Sequence, residues 1–235
     1  MRVVISTPRK TGGSQLRCLL SMAYDLKAPP APAPATDDRA AIATWLADLP
    51  AQSVSTCDLP FAVLQAPDTA TEVQVIGVIR HPYDLFVSNF DVAQQRVARG
   101  RDDDEIDHGW SILAGEELDG EAALAYAASG FASEIRALRD WASSRSTVRY
   151  EDLLADPAEV LESLTLVLGP LTAEQICHAV GLCPAENVVV SRPGRGRRMP
   201  SLPPGAWRER LPSTTLETLR AGYRTDVAAL GYDDR

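Results

Sequence analysis

The chain has 235 residues, 45% of them apolar, and a formal net charge of −9 from 23 basic and 32 acidic side chains. That length suits one domain with a sizeable core, and the acidity excludes a general binder of nucleic acid or of anionic membrane surfaces. Cys18, Cys57, Cys177 and Cys183 show neither metal-ligand spacing nor a disulfide framework. With no signal peptide or long apolar run, a reduced, cytoplasmic protein is expected.

In chain order, Val3, Val4 and Ile5 read as a buried strand. A basic, Gly-containing loop follows (Ser6-Thr7-Pro8-Arg9-Lys10-Thr11-Gly12-Gly13-Ser14), and then Leu16, Leu19, Leu20, Ala23 and Leu26 recur as one helix face. Residues 28–36 are a Pro/Ala connector. Residues 37–49 read as a short helix and 53–57 as a short strand. The strongest strand signal is 73–79, a nearly continuous apolar run suited to burial on both faces. Pro82 fits the first turn of the next helix. Residues 99–121 are acidic and read as a solvated loop or a lid over an acceptor site. One long amphipathic helix is predicted from Leu124 to Trp141, and a strand over 146–150. Two capping sequences, Asp156-Pro157-Ala158-Glu159 and Thr172-Ala173-Glu174-Gln175, open two further helices. Val188 to Val190 read as an edge strand, 192–210 as an Arg-rich loop, and 214–230 as a closing helix. Alternating strands and helices predict an α/β fold with a central, mainly parallel sheet flanked by helices, in a single domain over 1–235.

Strand, Gly-rich loop and helix together aim backbone N–H groups and a helix N-terminus at an anion. Lys10 and Lys27 are the only lysines, so one of the two stands inside this loop. Lys10 precedes the glycines, unlike the common triphosphate loop, in which the lysine follows them. The 73–79 strand ends in Arg80, where a magnesium-dependent phosphotransferase would place an aspartate. A site for an anion without metal is therefore expected, with Ser88 a little over two helical turns beyond Arg80.

Arg80-His81-Pro82-Tyr83-Asp84-Leu85-Phe86-Val87-Ser88, the N-terminal loop, Val148-Arg149-Tyr150-Glu151-Asp152-Leu153, and Arg192-Pro193-Gly194 with Gly205-Ala206-Trp207-Arg208 together resemble, in order, segments of the P-loop-like sulfotransferases that use 3′-phosphoadenosine-5′-phosphosulfate (PAPS). The resemblance spans most of the chain. It implies PAPS as donor, 3′-phosphoadenosine-5′-phosphate (PAP) as product, and no metal. It assigns Arg9, Lys10, Thr11, Gly12, Gly13, Ser14 and Gln15 to the 5′-phosphosulfate loop, and Arg80 and Ser88 to the 3′-phosphate. Tyr150 falls beside the adenine, and Arg192, Pro193 and Gly194 lie over the nucleotide, with Arg195, Arg197 or Arg198 as substitutes for Arg192. The first loop is one residue longer than the usual form, and Ser14 or Gln15 stands where the family has a tryptophan.

Thr56-Cys57-Asp58-Leu59-Pro60 puts Asp58 where the cytosolic relatives carry a histidine base. A free aspartate has a pKa near 3.9 and is a weak base for an alcohol unless buried. His108 is the other candidate; His81 and His178 read as structural. The expected reaction moves a sulfuryl group from PAPS to a hydroxyl, or less readily an amine, of a small-molecule acceptor such as a bacterial secondary metabolite or glycoside. Expected partners are that acceptor and a second copy of the chain as a homodimer, with neither nucleic acid nor membrane. The competing readings are a diverged, non-catalytic nucleotide-binding protein and a P-loop kinase-like phosphotransferase.

Overall fold

The computed structural model describes residues 1–34, 38–64, 73–98, 109–142, 146–184 and 202–234. A four-stranded sheet runs in the order β2-β1-β3-β4, built from β1 (Arg2–Ser6), β2 (Ser53–Cys57), β3 (Val73–Ile79) and β4 (Thr147–Arg149). Every neighbouring pair is parallel, with Val4 opposite Ser55 on one side and Val75 on the other. The helices are α1 (Gly13–Tyr24), α2 (Arg39–Ala47), α3 (Phe61–Leu64), α4 (Pro82–Ala98), α5 (Glu121–Ala125), α6 (Ala132–Ala142), α7 (Tyr150–Ala155), α8 (Pro157–Leu168), α9 (Ala173–Leu182), α10 (Trp207–Arg210) and α11 (Ser213–Ala229). The α/β class and the parallel sheet are as the alternating pattern predicts.

Two compact units are distinguished, Met1–Ile79 with Asp140–Arg198, and Arg80–Arg139 with Met199–Arg235. The first holds the whole sheet. Val3 and Ile5 of β1, Val54 of β2, Ile76 and Val78 of β3 and Val148 of β4 form one buried face. Leu16, Leu19 and Leu20 of α1, Leu161 and Leu164 of α8, and Ile176 and Ala179 of α9 join them in one cluster. Burial of each such side chain contributes about 1.5–3 kcal/mol, and this layer fixes where α1 begins. Both predicted N-caps form, but only the second is a capping box, because the Asp156 N–H donates to the Asp152 carbonyl instead of to Glu159. The Asp156 carboxylate accepts the N–H groups of Ala158 and Glu159, and Thr172 and Gln175 close a reciprocal capping box.

Cys18 of α1 and Cys183, at the C-terminal end of α9, are disulfide-bonded with Cα atoms 5.9 Å apart. This corrects the disulfide-free expectation. The pair is separated by 165 residues, and only the packing of α1 on α9 brings the two together.

In the second unit, the long helix predicted from Leu124 to Trp141 is broken. α5 ends at Ala125, a π-helical turn occupies Tyr126–Gly130, and α6 starts at Ala132. The Phe131 N–H reaches the Tyr126 carbonyl at 2.9 Å, a five-residue step that inserts one extra residue into the turn. A Cβ on Gly130 would lie 2.4 Å from the Tyr126 ring, so this glycine lets the buried tyrosine fold back over its own turn. Periodicity alone cannot register such an insertion.

Of the predicted acidic stretch, residues 99–108 lie outside the described part. The described remainder is packed. Gln94 Nε2 donates to the Leu113 and Glu116 carbonyls at 2.9 and 2.7 Å, and Trp110 is buried under the Arg96 guanidinium, 4.8 Å from the ring centroid. The predicted edge strand over Val188 to Val190 also lies outside the described residues.

Candidate active site

In a parallel sheet the loops that leave the C-terminal strand ends share one edge, where ligand sites of open α/β folds occur. The Thr7–Ser14 loop leaves β1 there, and Asp58 follows β2. The Thr7 N–H donates to the Cys57 carbonyl at 3.1 Å, and the Ser6 hydroxyl donates to the Leu59 carbonyl at 2.6 Å. These two bonds tie the loop's root to the Asp58 turn. Arg9 Nε lies 3.4 Å from Asp58 Oδ2, and both side chains are about half exposed, at 41% and 52%.

Two threonines shape the loop from within. The Thr7 hydroxyl donates to the Val78 carbonyl at 2.7 Å, the Thr11 hydroxyl donates to the Pro8 carbonyl at 2.7 Å, and the two hydroxyls touch. Both residues are buried. Lys10 sits at the apex with φ +70°, in the left-handed region that ordinary side chains enter rarely. Gly12 then has φ 100° and ψ 3° and starts α1, its carbonyl accepting from the N–H groups of Gln15 and Leu16. No side chain caps this helix end, and the first N–H groups of a helix lack intrahelical acceptors. With Lys10 beside it, the turn has the chemistry of an anion cradle.

Tyr150, the first residue of α7 after β4, closes the loop from one side. A Cβ on Gly12 would fall 2.3 Å from Tyr150 Cδ2, and the tyrosine is only 1% exposed. The loop, Asp58 and Tyr150 are therefore neighbours, although 138 positions separate Gly12 from Tyr150 in the numbering (150 minus 12). Gln15 also ties the start of α1 to the end of α9. It is buried, and its Nε2 donates to the Cys183 carbonyl at 2.6 Å. Cys57, at the end of β2, has its thiol pushed up to about 11, first by burial and to a smaller degree by the Asp58 charge, against hydrogen bonds from Leu59 and Ser6.

The second unit carries the other predicted cluster. Arg80 is 1% exposed, stands two residues ahead of α4, and donates from Nη2 to the Leu202 carbonyl at 3.0 Å. Ser88 is buried on α4. His81, read as structural, behaves so. Its Nδ1 accepts the Tyr83 N–H, its Nε2–H donates to the Asp233 carbonyl at 2.9 Å, and its ring stacks on Trp207 at 5.2 Å. Asp84 was missed, although it sits inside the Arg80–Ser88 signature. Its Oδ2 accepts the Gly205 N–H at 2.7 Å and its Oδ1 the Trp207 N–H at 3.0 Å. Its zero exposure was not legible from a charged residue in a helix's first turn. His108, Arg192, Pro193, Gly194, Arg195, Arg197 and Arg198 lie outside the described residues.

No protein-family model matches this sequence, and no curated protein matches it. Solved structures do. Mouse sulfotransferase SULT7A1, complexed with PAP, superposes with a TM-score of 0.66 over 99% of this chain and 89% of its own, at 13% identity. The fold is that of the sulfotransferases. A retinol dehydratase, solved with androsterone and the inactive cofactor PAP, gives a TM-score of 0.59 at 13% identity, covering 97% of this chain and 81% of its own. The sulfotransferase domain from the curacin biosynthetic pathway gives 0.52 at 16% identity, over 99% and 98% of the two chains. The sulfotransferase fold thus spans nearly the whole chain where sequence comparison finds no match. Among the described residues, no helix is long and apolar enough to cross a membrane.

Proposed function

We propose that this chain is a PAPS-dependent sulfotransferase, passing a sulfuryl group to a hydroxyl, or less readily an amine, of a small-molecule acceptor such as a secondary metabolite or glycoside. One observation carries the reading. The uncapped N-terminus of α1, entered through Gly12 at φ 100° with Lys10 beside it, forms an anion cradle at the C-terminal edge of the sheet. The sulfotransferase fold and the Arg80–Ser88 signature support PAPS as the anion.

In the proposed reaction the acceptor oxygen attacks sulfur in line with the bridging oxygen of the 5′-phosphate. The new O–S bond forms as the bridging S–O bond breaks. The acceptor proton passes to a base, and the products are the sulfate ester and PAP. Lys10 and the Gly12, Gly13 and Ser14 N–H groups stabilise charge on the leaving phosphate, which amounts to positioning plus electrostatics. Arg80 and Ser88 hold the 3′-phosphate, with Arg192 or a neighbouring arginine, and Tyr150 flanks the adenine. Asp58 is the proposed base, with His108 as its competitor.

Thermal shift tests the nucleotide assignment. PAP and PAPS at a hundredfold excess over their dissociation constants should stabilise the protein by about 2.7 kcal/mol, whereas ATP, with or without magnesium, should not. Stabilisation by ATP with magnesium but not by PAP refutes the proposal. A mass screen with PAPS then identifies acceptors by the added sulfuryl group.

A further inference from the structure

Residues 202–210 are held by α4 and its approach at three levels. Arg80 Nη2 donates to the Leu202 carbonyl, Asp84 accepts the Gly205 and Trp207 N–H groups, and Asp91 takes Arg210 in a bidentate pair at 2.7 and 3.3 Å. The middle contact differs in kind from the last. The Asp91–Arg210 pair is partly solvated, with Arg210 39% exposed, whereas Asp84 is a wholly buried carboxylate with one backbone N–H on each oxygen. A buried carboxylate is costly unless its oxygens are satisfied, and N–H donors on both are a strong, directional arrangement. The anchored Gly205 and Trp207 stand three and five residues after Leu202, whose carbonyl accepts an N–H of the Arg80 guanidinium fork at 3.0 Å.

We propose that Asp84 is a positioning residue for the 3′-phosphate end of the nucleotide: it fixes Gly205 and Trp207, thereby Leu202, and thereby the orientation of Arg80. This deepens the reading above and rests on Arg80 being the ligand of that phosphate. Chemistry requires a carboxylate here. Asp84→Asn keeps one acceptor but turns an NH₂ group toward a backbone N–H, leaving two donors facing each other at a buried position.

Calorimetric affinities for PAP and for 5′-AMP, which lacks the 3′-phosphate, test this as a ratio. Arg80→Ala should lower the PAP preference by more than about tenfold, the scale of a lost charged hydrogen bond. Asp84→Asn should lower it by about tenfold as well, while 5′-AMP affinity stays within about twofold. Added to Arg80→Ala, Asp84→Asn should bring less than about twofold further loss, because a residue acting through Arg80 has nothing left to act on. An unchanged ratio in Arg80→Ala sinks the reading of the site and this proposal with it. A collapsed ratio in Arg80→Ala beside an unchanged one in Asp84→Asn overturns the proposal alone. Equal loss of both affinities in Asp84→Asn also overturns it, since that marks general damage. If Asp84→Asn does not fold, Asp84→Glu, which keeps the charge and shifts the cradle by one methylene, is read by the same criteria. Failure of both to fold assigns Asp84 to core stability and overturns the proposal.

Discussion

Replacing Gly12 with alanine attacks the loop at the point where two independent costs meet. The backbone stands at φ 100°, and a residue with a Cβ pays about 1–2 kcal/mol for the left-handed region. The added methyl would also lie 2.3 Å from Tyr150 Cδ2 and 3.0 Å from Cε2. That ring is rigid and 1% exposed, so it cannot swing aside as a lysine end would, and overpacking of this sort costs about 1–3 kcal/mol. The sum is about 2–5 kcal/mol, or a Tm lower by about 4–20 °C for a chain of this size. Differential scanning calorimetry of Gly12→Ala, Tyr150→Ala and the double variant separates the two costs. Removing the ring should return the steric part, leaving a coupling of about 1–3 kcal/mol. A Gly12→Ala protein that melts with the wild type, or a coupling near zero, refutes the assignment of Tyr150 as the wall of this loop.

Other outcomes follow from the same geometry. Lys10→Ala should lower kcat far more than it raises the Kd for PAPS, and an unchanged kcat removes Lys10 from the leaving-group role. Asp58→Asn should lower kcat by about 10²–10⁴ if Asp58 takes the proton, with PAPS affinity retained; if instead only His108→Ala does so, the base is His108. Opening the Cys18–Cys183 bond, by reductant or by Cys18→Ser, should cost about 2–4 kcal/mol, against a chain-entropy ceiling of about 5 for so long a loop; thiol titration of unfolded, unreduced protein that finds all four cysteines free refutes the pairing. Iodoacetamide at neutral pH should modify the exposed Cys177 and spare Cys57, whose buried thiol, pushed up to about 11, stays protonated until the pH approaches that value; equal labelling of the two in folded protein counts against that burial.

Much of the fold was legible because each part was written locally. The β-branched run at Val3 to Ile5, the apolar 73–79 strand, and the caps at Asp156 and Thr172 each announce their element within a few residues. Features set by tertiary packing were not legible. The π-helical turn at Tyr126–Gly130 exists because a buried aromatic ring needs room over Gly130, and a period of 3.6 runs through it unseen. The Cys18–Cys183 bond and the use of Gln15 on the Cys183 carbonyl depend on α9 lying against α1, which no spacing encodes.

The same distinction explains why the signature at Arg80–Ser88 was read for its charge and missed for its architecture. Sequence shows which residues can bind an anion, because arginine and serine advertise donors. It hides an aspartate whose partners are backbone N–H groups more than a hundred residues away, since backbone amides have no residue type. In the structure Asp84 lies between the two candidate ligands in the chain and is more deeply buried than either. A cluster of donors would repel itself or drift unless something acceptor-rich held its frame, and a carboxylate bridging Gly205 and Trp207 supplies that frame without competing for the ligand. An acidic residue inside an anion-binding signature is therefore no contradiction. Its charge is directed at the protein's own amides, and in the proposal this leaves the neighbouring arginine to the nucleotide's 3′-phosphate.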